Sequence, residues 1–271
     1  MLRALWTGAS GMIAQQTNVD TIADNLANVN TAGFKSERAQ FKSLLYQTLQ
    51  TETTTANGDP KPIGAQVGLG VRNSSIDTSF AQGAMLESDS DTDFGIAGKG
   101  FFAVRQEDGT TAYTRNGNFT WALSTGGGMV LTTSEGYPVL GEDGQEIRLP
   151  QGYQVSAVNF SNDGTVTYKN GDTIQNLGMK IGLFQFNNPA GLNKLAGTFY
   201  AVSPASGAAT NEANLDQTLH STLYQGYLEG SNVKVADEMV NLIIAQRAYE
   251  MNSKAITTAD TMMQEANELK R

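Results

Sequence analysis

Both ends of the chain carry the same helical period, and the stretch between them carries the grammar of β-hairpins. Leu2, Leu5, Ala9, Met12, Gln16, Val19, Ala23 and Leu26 step by three and four, and all but Gln16 are apolar. That spacing predicts a helix with a coiled-coil seam. Between Val235 and Ala266 the same stepping recurs through Leu242, Ala245, Tyr249, Asn252, Ile256, Ala259, Met263 and Ala266, with polar or charged residues filling most other positions. The last helix can therefore pair with the first. The expected fold class is α+β, in which paired N- and C-terminal α-helices form a coiled-coil-like assembly domain and a central all-β domain is built of short antiparallel strands.

The first helix is expected to end near Asn28, because Asn28, Asn30, Thr31 and Gly33 close helices by local side-chain bonding or positive φ. Gly8 and Gly11 lie inside it, each costing roughly 1 kcal/mol against Ala in an isolated helix. The small run Gly8, Ala9, Ser10, Gly11 makes that cost tolerable if a neighbouring helix approaches closely. Phe34 to Leu49 reads as an extended arm with a second short helix. Gln50 to Gln66 holds four Thr, two Pro and two Gly, and among strongly apolar residues only Ile63, so it is a poor candidate for a packed element.

From Val67 to about Tyr200 strand-length intervals are punctuated by Asp108-Gly109, Asn116-Gly117, Gly126 to Gly128, Glu135-Gly136, Asp143-Gly144, Asp163-Gly164 and Asn170-Gly171. Phe101, Phe102, Val104, Tyr113, Phe119, Trp121, Val130, Leu131, Tyr137, Val139, Ile147 and Leu149 are the expected β core. Ser231 or Asn232 is a candidate N-cap for the last helix, with Asp237 and Glu238 in its first turn and Lys270 and Arg271 at its end, as the helix dipole prefers. The expected division is a terminal helical domain (1–30 and 232–271), a connecting extended region (31–70 and 201–231, with an insert near 50–66) and a β-rich outer domain (71–200).

Chemistry is hard to place on this chain. His220 is its only histidine, and no Gly-x-Ser-x-Gly elbow or cysteine nucleophile accompanies it. Zinc patterns need at least two histidines or thiolates. Asp89, Asp91 and Asp93 alternate like the start of a calcium loop, but Phe94 stands where that loop needs Gly and Gly100 where it needs Glu. Asp93-Phe94-Gly95 spells the kinase magnesium triplet without the motifs that should precede it, and Gly98-Lys99-Gly100 lacks the spacing of a phosphate loop. The latter reads as a turn or bulge ahead of the buried pair Phe101-Phe102. Catalytic, cofactor-binding and metal residues are all expected to be none, and the chain is not expected to be an enzyme.

The net charge is −9, and no Lys/Arg run could neutralise a phosphate backbone, so nucleic acid is not an expected partner. No apolar stretch is long enough to insert in a membrane, and the N-terminus lacks the three-part pattern of a secretory signal. Export, if it occurs, is expected without a cleaved signal peptide. Without cysteine, stability must come from packing or assembly. The terminal stripes exceed what one hairpin can bury: Trp6, Ile13, Ile22 and Val29 on one helix, and Met239, Ile243 and Met262 on the other, lie off the main seam. Extra apolar faces ask for extra helices from neighbouring subunits. The expected assembly interface is Leu2, Leu5, Trp6, Ala9, Met12, Ile13, Val19, Ile22 and Leu26 with Val235, Met239, Leu242, Ile243, Tyr249, Ile256 and Met263.

The run Ala23-Asp24-Asn25-Leu26-Ala27-Asn28-Val29-Asn30-Thr31-Ala32-Gly33-Phe34-Lys35 resembles the N-terminal signature of bacterial flagellar rod and hook proteins. Ser231-Asn232-Val233, Glu238-Met239-Val240, Gln246-Arg247-Ala248-Tyr249-Glu250 and Lys254 resemble its C-terminal counterpart. Gln82-Gly83, Leu86, Gly98-Lys99-Gly100-Phe101-Phe102 and Tyr113-Thr114-Arg115-Asn116-Gly117 resemble the family's β domain. Asp24, where Asn is common, and Phe94-Gly95-Ile96, in place of an aliphatic-Ala-Ile, depart from the pattern. The chain's length, Gln15-Gln16-Thr17-Asn18 and Leu44-Leu45-Tyr46-Gln47-Thr48 are most similar to the distal rod form, with the proximal rod and hook forms next.

That resemblance implies a non-enzymatic subunit of the flagellar basal body, polymerising helically into a rigid hollow shaft that transmits torque from motor to hook. Its helices would line the tube and its β domain would face outward. The implied partners are further copies of itself, proximal rod and hook subunits or their junction proteins, the rings around the rod, and the flagellar type III export apparatus. The implied location is extracytoplasmic, and periplasmic where the cell has an outer membrane. The rival class is a secreted β domain that binds a ligand or carbohydrate.

Overall fold

The computed structural model describes residues 2–50, 64–124, 126–170, 173–216 and 220–269. The expected insert near 50–66 lies mostly outside the described residues, as do Lys270, Arg271 and Gly171. The chain forms two compact units: Met1–Ala27 with Glu37–Thr78 and Lys234–Arg271, and Asn28–Ser36 with Ser79–Val233.

In the first unit, helix α1 spans Leu2–Ala27 and helix α2 spans Val235–Glu268. They run antiparallel: a Cβ added at Gly8 would come within 2.9 Å of the Ile256 side chain, and one at Gly11 within 2.8 Å of Asn252. The two glycines thus admit α2 close against α1. The fully buried positions of α1 are Gly8, Ala14, Thr21, Ile22 and Asn25. This stripe is displaced from the expected seam, of which Gln16 and Ala23 are exposed and Leu5, Ala9, Met12, Val19 and Leu26 half-buried. The displacement has two causes: at the N-terminal end the small Gly8 and Gly11 admit α2, and at the C-terminal end Asn25 is bonded to the backbone of Glu37. On α2 the buried positions Ala245 and Ala259 belong to the expected stripe, whereas Tyr249 is exposed.

The segment read as an arm with a short helix is instead two strands, β1 (Glu37–Ser43) and β2 (Tyr46–Gln50). Arg38, Ala39, Gln40, Phe41 and Lys42 alternate polar with apolar, a period of two that a helix cannot use. β2 pairs antiparallel with β3 (Ala65–Gly68), and β1 pairs antiparallel with β4 (Val71–Thr78), with a register shift between Gln40 and Phe41. α1 is tied to this ribbon at two points. Asn25 Nδ2 donates to the Glu37 carbonyl at 2.7 Å, the Glu37 amide donates back to Asn25 Oδ1 at 2.8 Å, and the Val71 amide donates to Ser10 Oγ at 3.3 Å.

The second unit is a stack of short antiparallel strands. Its six-stranded sheet runs in the order Asn193–Lys194, Phe199–Ala201, Thr111–Thr114, Phe101–Arg105, Leu183–Gln185, Thr210–Asn211. Strand Phe101–Arg105 explains the aromatic pair in the sequence. Successive side chains face opposite ways, so Phe102 and Val104 enter one core with Phe94, Phe119, Leu131 and Ile181, while Phe101 and Ala103 enter a second with Tyr113, Phe186 and Tyr200. Of the expected core residues, Trp121 and Tyr137 are only partly buried and pack against the first cluster. The turn glycines 109, 136, 144 and 164 all have positive φ. The chain then returns. Thr222–Gln225 pairs with Phe94–Ala97, and Tyr227–Glu229 pairs with Met85–Glu87.

Candidate assembly surface

A buried ion cluster organises the returning segment. Lys35 Nζ donates to Glu229 Oε1 and to the Ala81 carbonyl, each at 2.8 Å. Arg115 Nη1 donates to Glu229 Oε2 at 3.2 Å, and its Nη2 to the Gly98 carbonyl at 2.7 Å. The Gly83 amide supplies Glu229 with a further bond at 2.9 Å. Removing charges from water is costly, and partners must repay it. Burial accordingly pushes Lys35 below the ordinary lysine value of 10.5, outweighing the pull of Glu229 in the other direction. Gly33 sits beside these groups with φ +72, its Cα against the backbone of Arg115 and Asn116, and its amide bonds the Glu229 carbonyl at 2.7 Å.

Asn232, a candidate N-cap by sequence, is a clamp instead. Its Oδ1 accepts from the Ser36 amide at 2.7 Å, and its Nδ2 donates to the Ser79 and Ala81 carbonyls. Ser231 Oγ accepts from the Val233 amide at 3.3 Å, and the helix cap falls at Lys234 with no side-chain bond. The side chains of Ser231 and Asn232 are thus spent on the connecting segments before the helix begins. Neither Glu229 nor the clamping function of Asn232 is visible in the sequence. The one signal it offers is a lone acid, Glu229, following the apolar pair Tyr227-Leu228 in a strand.

The chemically suggestive residues assemble no reaction centre. His220 is exposed, and its Nε2 bonds the Leu215 carbonyl at 3.0 Å. It borders a cavity of about 300 Å³ whose polar groups are engaged with one another. Glu212 accepts from Ser221 twice at 2.7 Å and from Gln185 at 2.8 Å, and Lys180 pairs with Glu142 at 3.2 Å. Among the described residues no group of His and acids is placed to hold a metal ion. Asp93, the last acid of the incomplete calcium pattern, is buried and accepts from Ser88 Oγ at 2.5 Å.

What remains unspent is apolar surface on the helical unit. Trp6, Ile13, Met239, Val240, Ile243, Ile244, Met251 and Met262 are each more than half exposed. Val235 and Tyr249 are exposed to a smaller degree, and Ile256 and Met263 are half-buried. Ile22 is a correction to the expected outward set: it lies at 5 % exposure, on the stripe that carries Thr21 and Asn25 toward β1. Leu45, Tyr46 and Leu49 extend the exposed apolar surface along the β1–β2 stretch.

Residues 5–35 match the family "Flagella basal body rod protein", residues 95–168 "Flagellar hook protein FlgE/F/G D1 domain", and residues 224–269 "Flagellar basal body rod FlgEFG protein C-terminal". Among curated relatives, the flagellar basal-body rod protein FlgG of Borreliella burgdorferi is 43 % identical, with all of both chains covered. The chain belongs to the flagellar basal-body rod protein family. The FlgG of Agrobacterium fabrum is 40 % identical over 96 % of this chain and 97 % of its own, and that of Bacillus subtilis 38 % over the whole of both. The protein is a structural subunit of the flagellar basal body, of the distal-rod (FlgG) type, and not an enzyme. Lys35, Arg115 and Glu229 each fall in a different one of the three matched segments.

Proposed function

We propose that this rod subunit assembles with copies of itself into a helical polymer through the exposed faces of its two terminal helices. The polymer would be a stiff shaft carrying torque toward the hook, continuous with other rod and hook subunits and turning within surrounding rings. The observation that carries this reading is the run of large apolar side chains on α1 and α2 left uncovered in the single chain. Monomeric proteins seldom expose so much contiguous apolar surface, and heterologous contacts that do not close on themselves generate filaments. The coiled-coil seam belongs to this proposal, with Leu5, Met12, Val19, Leu26, Leu242 and Ile256 as its inner contacts. So do export through the flagellar type III apparatus without signal cleavage, a periplasmic position where there is an outer membrane, and a connecting function for residues 31–70 and 201–231. Electron microscopy of the purified subunit at high concentration tests the reading. Filaments or tubes support it, whereas a soluble dimer whose melting shifts with a carbohydrate supports the rival ligand-binding class.

A further inference from the structure

The nine methionines hold all the sulfur in this chain, because cysteine is absent. An oxidant that reaches the subunit therefore meets thioethers and no thiol. Five of them, Met12, Met85, Met129, Met179 and Met263, are half-buried. Met239, Met251 and Met262 differ: they lie on α2 and are 53 %, 66 % and 53 % exposed. Met251 and Met262 are about three helical turns apart and so share one stripe. They rim an open, mostly apolar groove of about 530 Å³ with Ala4, Lys254, Ala255, Thr258 and Ala259. Exposure governs how fast a thioether oxidises, so the sulfurs that oxidise fastest sit on the surface that has most to lose.

We propose that Met239, Met251 and Met262 are redox-sensitive modification sites on the exposed surface of α2, and that their oxidation controls whether the subunit can polymerise. In the reaction a sulfur lone pair attacks a peroxide oxygen, the O–O bond breaks, an S–O bond forms and water leaves. The thioether is oxidised to the sulfoxide and the peroxide is reduced. The product carries a strong hydrogen-bond acceptor on a chain that was apolar and adaptable, and burying that acceptor unpaired against another helix is unfavourable. Oxidation before assembly blocks the helix face, and assembly first shields the same sulfurs. The β-rich unit contains none of the three and keeps its fold. This inference rests on the reading that another copy covers the helix face.

Purified subunit is treated with hydrogen peroxide until peptide mass spectrometry shows sulfoxide at all three positions, and polymerisation is followed by light scattering and electron microscopy. Elongation is expected to slow by roughly tenfold or more. Methionine sulfoxide reductases A and B, which act on the two sulfoxide epimers, should restore it. In the volume-conserving variant M239L/M251L/M262L, elongation is compared with and without peroxide, and peroxide should change its own rate by less than about twofold. In preformed tubes the three positions should oxidise several times more slowly than in monomer. Fully oxidised parent that polymerises within about twofold of the untreated rate overturns the proposal, as does the leucine variant losing assembly to peroxide. Equal oxidation rates in tubes and monomer do the same. Untreated subunits that never polymerise would instead remove the assembly reading beneath it, and the untreated control alone reveals that.

Discussion

Replacing Glu229 by Gln is the sharpest test of how the β-rich unit holds its ends together. The Lys35 and Glu229 side chains are 0 % exposed and Arg115 is 2 % exposed, so neither cation can turn to water when the carboxylate is gone. Removing one member of a buried ion cluster leaves uncompensated charge and costs about 3–5 kcal/mol. For a domain of this size that is a fall in melting temperature of about 6–20 °C. Gln can still accept from Gly83 and from one cation, which sets the loss toward the lower end of that range. Urea unfolding read by Trp121 fluorescence, a side chain packed against the main core, reports this unit. Adding Lys35→Met should recover a large part of the loss, because it removes the charge that Glu229 neutralised. A loss below about 1 kcal/mol, or no recovery in the double variant, would refute the idea that charge compensation is what Glu229 supplies.

Ile243→Asp should leave the monomer's melting unchanged within about 0.5 kcal/mol, since the side chain is exposed, while abolishing polymerisation by sedimentation. Gly33→Ala places a Cβ against the backbone of Arg115 and Asn116 at φ +72, and should cost ~3 kcal/mol or more; Gly144→Ala, at φ +70 with open space around it, should cost only about 1–2 kcal/mol, both by urea titration. For Lys35, whose folded pKa lies below 10.5, the associated stability is present above the unfolded value and lost as pH falls through the folded one, so Lys35→Met should flatten the alkaline rise of the stability curve. At Asp163 burial pushes the carboxyl up, but bonds from the Thr165 hydroxyl and amide more than offset it and leave it below 3.8. Its contribution is complete above 3.8 and lost as pH falls through the folded value; Thr165→Val should move the NMR titration midpoint upward.

The helices are legible in the sequence because an apolar period of three and four sustained over many turns matches one helix face and no strand, and the β body because Asp-Gly and Glu-Gly steps punctuate it. The displaced buried stripe on α1 is harder to see. A period identifies a face, but close helix approach is decided by absent side chains, and Gly8 and Gly11 outrank Leu5 and Met12 in setting it. The strands between Glu37 and Gln50 are obscured because the alternation from Arg38 to Lys42 is only five residues long, while Phe41, Leu44, Leu45 and Leu49 also fall at helical spacing. The ion cluster is illegible for a different reason. Lys35, Arg115 and Glu229 are far apart in the chain, and what converts them into neighbours is long-range backbone contact: the pairing of Tyr227–Glu229 with Met85–Glu87, and the Gly33 amide bonded to the Glu229 carbonyl. Of the outward apolar side chains of α2, Met239, Ile243 and Met262 are readable and Val240, Ile244 and Met251 are not, and Ile22 is misread because it lies on the stripe that faces β1, a strand the sequence does not announce.

The Lys35–Glu229 contact spans 194 positions of sequence. Closing a loop of that length forfeits chain entropy on the order of 5 kcal/mol before any contact rewards it. Folding dominated by such distant contacts is slow, and here the rate has a direction. A chain emerging N-terminus first exposes Lys35 early and Arg115 midway, both still hydrated, with no anion to receive them until Glu229 follows. The strands of residues 85–87 and 94–97 likewise wait for partners that are made almost last. The topology thus works as a clock: the sheets within residues 101–211 have all their strands before the C-terminal segment is made, whereas the pairs at 94–97 and 85–87 and the anion of the buried cluster arrive with it.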